Sequence, residues 1–339
     1  MNDFWVFVRN DIVEANLLEN SMFEDMFRDG SVTCQIQEDS RDRLAEFLAR
    51  RKIQKITGGA VNIFLANRYE LEKCIRKNAA AYDNIYVFFL NTAFTTVRYP
   101  VKVLKSYKKK WPNVRYVLYY LDPIGRGVSQ YAKHLQENGV FDLVYTFDSY
   151  DAKKYDLIWW KTPCSRMQGY GTAIVRDLYF IGVETERAEQ IFAVLKKGKE
   201  NGVQVQMDVI PDGDVSSYSE FSQEVTLHSK TDIIPYTEAL RRTLEAGCIL
   251  ELVRPKQAGL TLRPYEAVLY NRKLLTNNKS ILNFEYYNPV YMQYFEKVED
   301  IDWQWVKDEI PVDYGYRGDF SPLLLLEDIA NRLSAPERA

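Results

Sequence analysis

Val114-Arg115-Tyr116-Val117-Leu118-Tyr119-Tyr120-Leu121, residues 114–121, is the stretch whose reading decides the fold. It is rich in β-branched and aromatic residues, too short for a globular helix, and closed by Asp122 and Pro123. That is the composition of a buried strand. Upstream, Phe4–Val8 and Ile85–Leu90 read the same way, and a helix is predicted over Val101–Lys110, between the second and third of these strands. Downstream, Val128, Tyr131, Ala132 and Leu135 recur at i, i+3, i+4 and i+7, one face of an amphipathic helix that Gly139 stops. Leu143–Phe147 is the next strand. Strands alternating with helices of this length predict a parallel sheet covered on both faces.

The pattern breaks over Ser149–Gly171, where charges, Pro163, Gly169 and Gly171 leave no sustained period. It then resumes. Leu178–Gly182 is a strand, and Ala188, Ile191, Phe192 and Leu195 mark a helix closing near Gly202. Val203, Val205, Met207 and Val209 alternate with polar residues as in a half-buried strand. A helix through Tyr236, Ala239, Leu240 and Leu244 is expected to end near Gly247. Strand Cys248–Val253, helix Leu262–Tyr270, strand Lys273–Thr276 and a last helix over Pro322–Leu333 follow. The expected organisation is α/β with two Rossmann-like domains facing across a cleft: residues 1–165, residues 166–320, and a segment 321–339 crossing back toward the first domain. Ligands bind such sheets at the C-terminal ends of the strands.

Composition sets the function classes. The 339 residues are 46% apolar and 27% charged, which excludes disorder and fibrous repeats. With 44 basic and 47 acidic residues the net charge is −3, so nucleic acid is not an expected partner; binding it would need a localised basic face. Two histidines and four scattered cysteines, with no CxxC pair, argue against a zinc site and for free thiols in a reducing compartment. The N-terminus does not read as a signal peptide, and no apolar run approaches the ~18 residues of a membrane span. A cytoplasmic protein is expected. Lys102, Lys105, Lys108, Lys109 and Lys110, ending at Trp111, form a basic stretch suited either to peripheral contact with anionic lipid at the inner membrane face or simply to solvent.

Gln257-Ala258-Gly259-Leu260-Thr261-Leu262-Arg263-Pro264-Tyr265-Glu266 follows a strand and opens a helix. Gly259 permits close backbone approach, and the free N–H groups of the helix start beside Arg263 suit a diphosphate. Glu266 is placed to accept from sugar hydroxyls. The alternative is structural: Thr261 caps the helix and Glu266 complements its dipole. Both readings stand on the residues alone.

Gly259–Glu266, continuing to Lys273-Leu274-Leu275-Thr276-Asn277-Asn278, resembles the donor-binding segment of GT-B glycosyltransferases, most closely the sugar transferases of bacterial capsule and lipopolysaccharide clusters. Leu178–Gly182 with Arg187 resembles the opening strand and loop of that family's C-terminal domain. The resemblance implies a nucleotide-sugar transferase acting in surface glycan synthesis, its donor a UDP-sugar and its acceptor a polysaccharide or lipid-linked saccharide. It implies that Gly259, Leu260, Thr261 and Arg263 hold the diphosphate, Arg187 faces a phosphate, and Glu266 binds the ribose; the other reading of Arg187 is a surface arginine at a helix start. Many retaining members carry a glutamate eight residues before the ribose-binding one. Here that position is Ala258, with Gln257 the nearest polar candidate toward the donor sugar.

An inverting transfer would need a base to deprotonate the acceptor. Asp122, closing strand 114–121, is the first candidate, ahead of Asp148, Asp151 and Asp11; the Asp-Pro-x-Gly turn is its bland explanation. Arg126 in the same loop would suit an acceptor phosphate. Asp212-Gly213-Asp214 has the look of a metal-binding acidic triplet but lies in a polar stretch, so a turn is the better reading. No metal and no cofactor are expected, the nucleotide-sugar being a substrate. Trp159, Trp160, Tyr286, Tyr287, Tyr291 and Tyr294 are sugar-stacking candidates or core aromatics. The rival readings are a nucleotide-sugar epimerase of the same fold and a non-catalytic partner subunit.

Overall fold

Two all-parallel sheets, each with six strands among the described residues, organise the chain. The computed structural model describes residues 2–8, 18–19, 21–36, 69–94, 99–124, 129–170, 173–229, 234–254 and 259–334. The chain divides into two compact units, Met1–Pro163 with Ser321–Ala339, and Cys164–Phe320.

In the first unit the strands are β1 (Asp3–Val8), β2 (Cys34–Ile36), β3 (Asn84–Leu90), β4 (Val114–Tyr120), β5 (Leu143–Thr146) and β6 (Ile158–Trp159), in the order β2-β1-β3-β4-β5-β6. Alternation at period two sorts their side chains onto two buried faces. Val6, Val87, Phe89, Tyr116 and Leu118 pack on helices Glu70–Asn78, Val101–Lys110 and Ser129–Glu137. Phe7, Phe88, Val117 and Tyr119 pack on the opposite face against Met22, Phe23, Met26 and Leu325, Leu326 and Ile329 of helix Pro322–Ser334. Each large side chain so enclosed stabilises the unit by about 1.5–3 kcal/mol. Gly139, at φ +62°, takes the left-handed conformation that terminates helix Ser129–Glu137.

The second unit contains β7 (Arg176–Val183), β8 (Val205–Ile210), β9 (Val225–Leu227), β10 (Ala246–Glu251), β11 (Lys273–Thr276) and β12 (Met292–Tyr294), in the order β12-β11-β10-β7-β8-β9. Numbered within the unit this is 3-2-1-4-5-6, the doubly wound order, and its switch point lies between β7 and β10. One face packs on helix Ala188–Glu200 through Leu178, Phe180, Met207 and Leu250. On the other, Ile249 and Leu274 pack with helix Leu262–Tyr270.

Several expectations are revised. β8 is not half-buried: Asp208, on its polar side, is only 2% exposed, because Tyr179 and Arg242 of helix Tyr236–Leu244 close over it. Helix Tyr236–Leu244 ends near Gly247 as expected, but its C-cap is Glu245, and Gly247 lies inside β10. The segment read as an unpatterned crossover contains helix Ser149–Tyr155 and β6. No helix among the described residues is long and apolar enough to cross a membrane.

Candidate nucleotide-binding site

At the switch point of the second sheet lies a half-buried cation that no carboxylate among the described residues meets. Arg187, at the N-terminal boundary of helix Ala188–Glu200, donates from Nη1 to Leu252 O, just past β10, at 2.7 Å, and from Nη2 to Val183 O at the end of β7. Its Nε is buried without a hydrogen-bond partner, and no carboxylate among the described residues pairs with the guanidinium. Burial first, and the neighbouring Arg254 second, bring its pKa down to about 10, so the group is still charged at neutral pH. Gly182 makes the space: a Cβ there would stand 3.1 Å from Arg187 Nη2 and 3.0 Å from Phe180 Cζ. A buried positive charge costs free energy unless an anion meets it.

The second element is the start of helix Leu262–Tyr270. Thr261 is the N-cap, its Oγ1 accepting from Arg263 N at 3.2 Å while donating to Glu251 Oε1 at 2.5 Å. Thr276 at the end of β11 donates to the other oxygen of Glu251. The strand ends and the helix start are thereby joined through one carboxylate, 3% exposed, whose pKa is raised by burial against the opposing pull of these hydroxyls. Asn278 Nδ2 donates to Gly259 O at 3.1 Å, holding that glycine three residues ahead of the helix. Asn277 Oδ1 accepts from Val253 N at 2.7 Å, and its Nδ2 donates to Gln190 Oε1 at 3.0 Å.

Glu266 is fully buried one turn into the helix. Tyr236 Oη donates to its Oε1 at 2.9 Å, and Arg263 Nη1 pairs with its Oε2. Of the two arginines assigned to the donor site, Arg263 is therefore neutralised by Glu266, whereas no carboxylate among the described residues neutralises Arg187. Leu260 packs, half-buried, on the apolar cluster of that helix. Gln257 lies outside the described residues, as do Ala258, Arg126 and Asp11.

In the first unit Asp122 follows β4. It is half-buried and accepts from Asn91 Nδ2 at 3.3 Å, while Asn91 Oδ1 holds Leu121 N at 2.7 Å. Asp148 caps helix Ser149–Tyr155, accepting from Tyr150 N and Asp151 N, and buried Asp151 accepts from Ile124 N at 2.6 Å. Those two carboxylates hold backbone, which leaves Asp122 as the more available acid of the three.

The remaining candidates settle into structural places. Asp214 accepts from both N and Oγ of Ser216, and Asp212 from Thr185, as in an exposed turn. Trp160 packs edge-on to Tyr145, and Trp159, half exposed, donates to Phe147 O at 3.0 Å. Tyr286, Tyr287 and Tyr294 pack against the Phe284–Phe320 cluster, and Tyr291 against Tyr314. The basic helix buries Val103, Leu104 and Tyr107, Lys108 pairs with Asp142 at 2.7 Å, and Trp111 packs on the core with Lys110 above its ring.

Sequence reasoning missed Glu251 and the buried set around Asp208, where Oδ1 meets Arg242 at 2.9 Å and His228 Nε2 at 2.7 Å. An acid ending an otherwise apolar strand was the available signal for Glu251. Nothing local marked Asp208.

No family model matches the sequence, and no curated protein matches it. Solved structures do match along the full chain. An α-glucosyltransferase in complex with UDP-glucose and DNA containing an abasic site superposes with a TM-score of 0.60 at 10% identity, covering 98% of this chain and 100% of that one. An α-glucosyltransferase with UDP and a 13-mer DNA containing a HMU base gives 0.59 at 11% identity, again over 98% and 100%. The catalytic domain of starch synthase IV from Arabidopsis thaliana, bound to ADP and acarbose, gives 0.51 at 10% identity over 98% and 99%. The chain has the GT-B fold of these glycosyltransferases. The DNA complexes overturn the expectation, drawn from a net charge of −3, that nucleic acid is excluded as a partner. Proteins of this fold are seen bound to DNA, so overall charge does not decide the matter.

Proposed function

We propose that the chain is a glycosyltransferase that takes a sugar from a nucleotide diphosphate, with UDP the favoured nucleotide. The observation that carries this is Arg187, a half-buried guanidinium with an enclosed, unpartnered Nε and no carboxylate partner among the described residues, at the switch point of a doubly wound sheet. A diphosphate supplies the missing charge, and the backbone N–H groups at the capped start of helix Leu262–Tyr270 add donors to it. As the sugar bond breaks, negative charge builds on the departing diphosphate. A fixed cation and an oriented helix start stabilise it there without reorganisation. Glu266, already oriented by Tyr236 and Arg263, is the proposed ribose acceptor, and Gln257 and Gly259–Thr261 complete the donor loop. Asp122 is the proposed base toward the acceptor hydroxyl. Choice of UDP follows the nucleotide in the two α-glucosyltransferase complexes.

Two acceptors are worth distinguishing. The motif resemblance favours a saccharide or lipid-linked saccharide of a bacterial surface glycan. The full-length likeness to α-glucosyltransferases in complex with DNA favours a hydroxyl-bearing base in DNA. The test is calorimetric titration with UDP, GDP, ADP and dTDP, followed by mass spectrometry of products from UDP-sugars with oligosaccharides and with a 13-mer DNA containing a HMU base. Binding of one nucleotide and a mass gain on one acceptor class establish the reading. Interconversion of the donor without acceptor would instead identify an epimerase. No binding of any nucleotide would move the assignment to a non-catalytic partner subunit.

A further inference from the structure

The four cysteines look unrelated in sequence, yet two of them meet. Cys34 opens the edge strand β2, Cys74 lies in helix Glu70–Asn78, and their sulfurs are 3.0 Å apart. Forty positions separate them, so no spacing motif could announce the pair. Both are half-buried at the wall of a cavity of about 580 Å³, which Phe4, Lys73, Lys77 and Asn78 help to line. Cys164 and Cys248 are buried, and burial pushes the Cys248 thiol up to about 12.

The two sulfurs are not equivalent. Either thiol can donate to the other; with Cys34 as the acceptor, that hydrogen bond, assisted by the Lys77 charge, lowers the Cys34 pKa against the effect of burial. The same bond, with burial, raises Cys74. Asn78 Nδ2 anchors the Cys74 side, donating to Cys74 O at 2.8 Å and lying 3.8 Å from its sulfur. Lys73 is matched by Glu70 at 2.5 Å; among the described lining residues Lys77 is the other cation, and its charge acts on both sulfurs.

We propose that Cys34 and Cys74 form a reversible dithiol–disulfide site that reacts with a small anionic disulfide entering this cavity, Cys34 attacking and Cys74 resolving. The Cys34 thiolate attacks one sulfur of R–S–S–R; a Cys34–S–S–R bond forms, the R–S–S–R bond breaks, and RS⁻ leaves to take up a proton. Cys74 then gives up its proton to water and attacks the Cys34 sulfur. The Cys34–Cys74 bond forms as the second RS⁻ departs and is protonated. Two protein thiols are oxidised to one disulfide, and one R–S–S–R is reduced to two RSH. The product ties the edge strand β2 to the helix that covers it.

The experiment uses the full chain and glutathione disulfide as the probe, with alkylation quenching and peptide mapping. Wild type is expected to yield a Cys34–Cys74 linked peptide that dithiothreitol reverses, while Cys164 and Cys248 label only after denaturation. Cys74→Ser should accumulate glutathione on Cys34. Cys34→Ser should acquire it on Cys74 about tenfold more slowly. The wild-type mapping needs no variant to fold. No linked peptide at saturating glutathione disulfide, or equal adduct rates at the two positions, would overturn the proposal.

Discussion

Thr261 Oγ1 donates to Glu251 Oε1 at 2.5 Å, and the same oxygen accepts from Arg263 N at 3.2 Å. One hydroxyl thus caps the helix and satisfies a carboxylate at the end of the preceding strand. Thr261, at the start of helix Leu262–Tyr270, is thereby tied to the end of β10 before any ligand arrives. In the proposed donor site, which would act through oriented N–H groups, this preorganisation conserves binding energy.

Thr261→Val should therefore cost more than an ordinary cap. It removes the cap, worth about 1 kcal/mol, and leaves a buried carboxylate oxygen short of a donor, worth about another 1–2 kcal/mol. Urea unfolding is expected to show a lower midpoint at unchanged slope, with Thr261→Ser recovering most of the loss. A midpoint within error of wild type would mean that the hydroxyl carries neither function.

Glu251 gives a pH signature of defined sign. Burial raises its pKa in the folded state. The folded protein therefore binds that proton more tightly than the unfolded chain, and the stabilisation is full below the unfolded carboxylate pKa and lost as pH rises through the folded value. Glu251→Gln carries no such proton. The stability of wild type relative to Glu251→Gln should rise as pH falls from neutral through the raised pKa toward the ordinary carboxylate range. Paired urea titrations at pH 7 and pH 5 measure it; a difference that stays constant or reverses removes the assignment.

The fold was readable where a long run of β-branched or aromatic residues met a clear stop, as in β3, β4 and β7. It was unreadable where strands have two or three residues: β2, β6, β9 and β12 carry too little sequence to show a period. Asp208 shows a second limit. Alternation assigned it to solvent, because no local pattern announces that a helix begun at Tyr236 will cover that face. At the site, residues 259–266 located the helix start, since caps and loop glycines are local signals. The partial burial of Arg187 and the pairing of Arg263 with Glu266 are tertiary facts, and they alone separate the neutralised arginine from the other.

Arg187 should carry the diphosphate selectivity. Arg187→Met removes the cation while keeping much of the side-chain volume. It is expected to weaken UDP binding by at least about tenfold, or ~1.4 kcal/mol, and to leave uridine binding little changed. Arg187→Lys should fall between, because an ammonium restores charge without the planar fork that reaches Leu252 O and Val183 O. Calorimetry on the three proteins, with circular dichroism to confirm folding, checks this. Unchanged UDP affinity in Arg187→Met would remove the residue from the donor site.

Gly198 looks like a defect in helix Ala188–Glu200 and is expected to behave as a requirement. By helix propensity alone, alanine would stabilise an exposed position by about 1 kcal/mol. Here a Cβ would stand 2.5 Å from Val205 Cγ2 and 3.6 Å from Trp303 Cζ3, where β8 begins. Relieving that overlap means moving the helix off the strand or forcing Val205 off its rotamer, at about 1–3 kcal/mol. Gly198→Ala should be net destabilising by up to about 2 kcal/mol, the packing loss exceeding the propensity gain. In a Val205→Ala background, where Cγ2 is gone, the same substitution should become neutral or favourable. A double-mutant cycle by urea unfolding reads the coupling directly, and additivity of the two changes would show that the close approach is not what keeps glycine at this position.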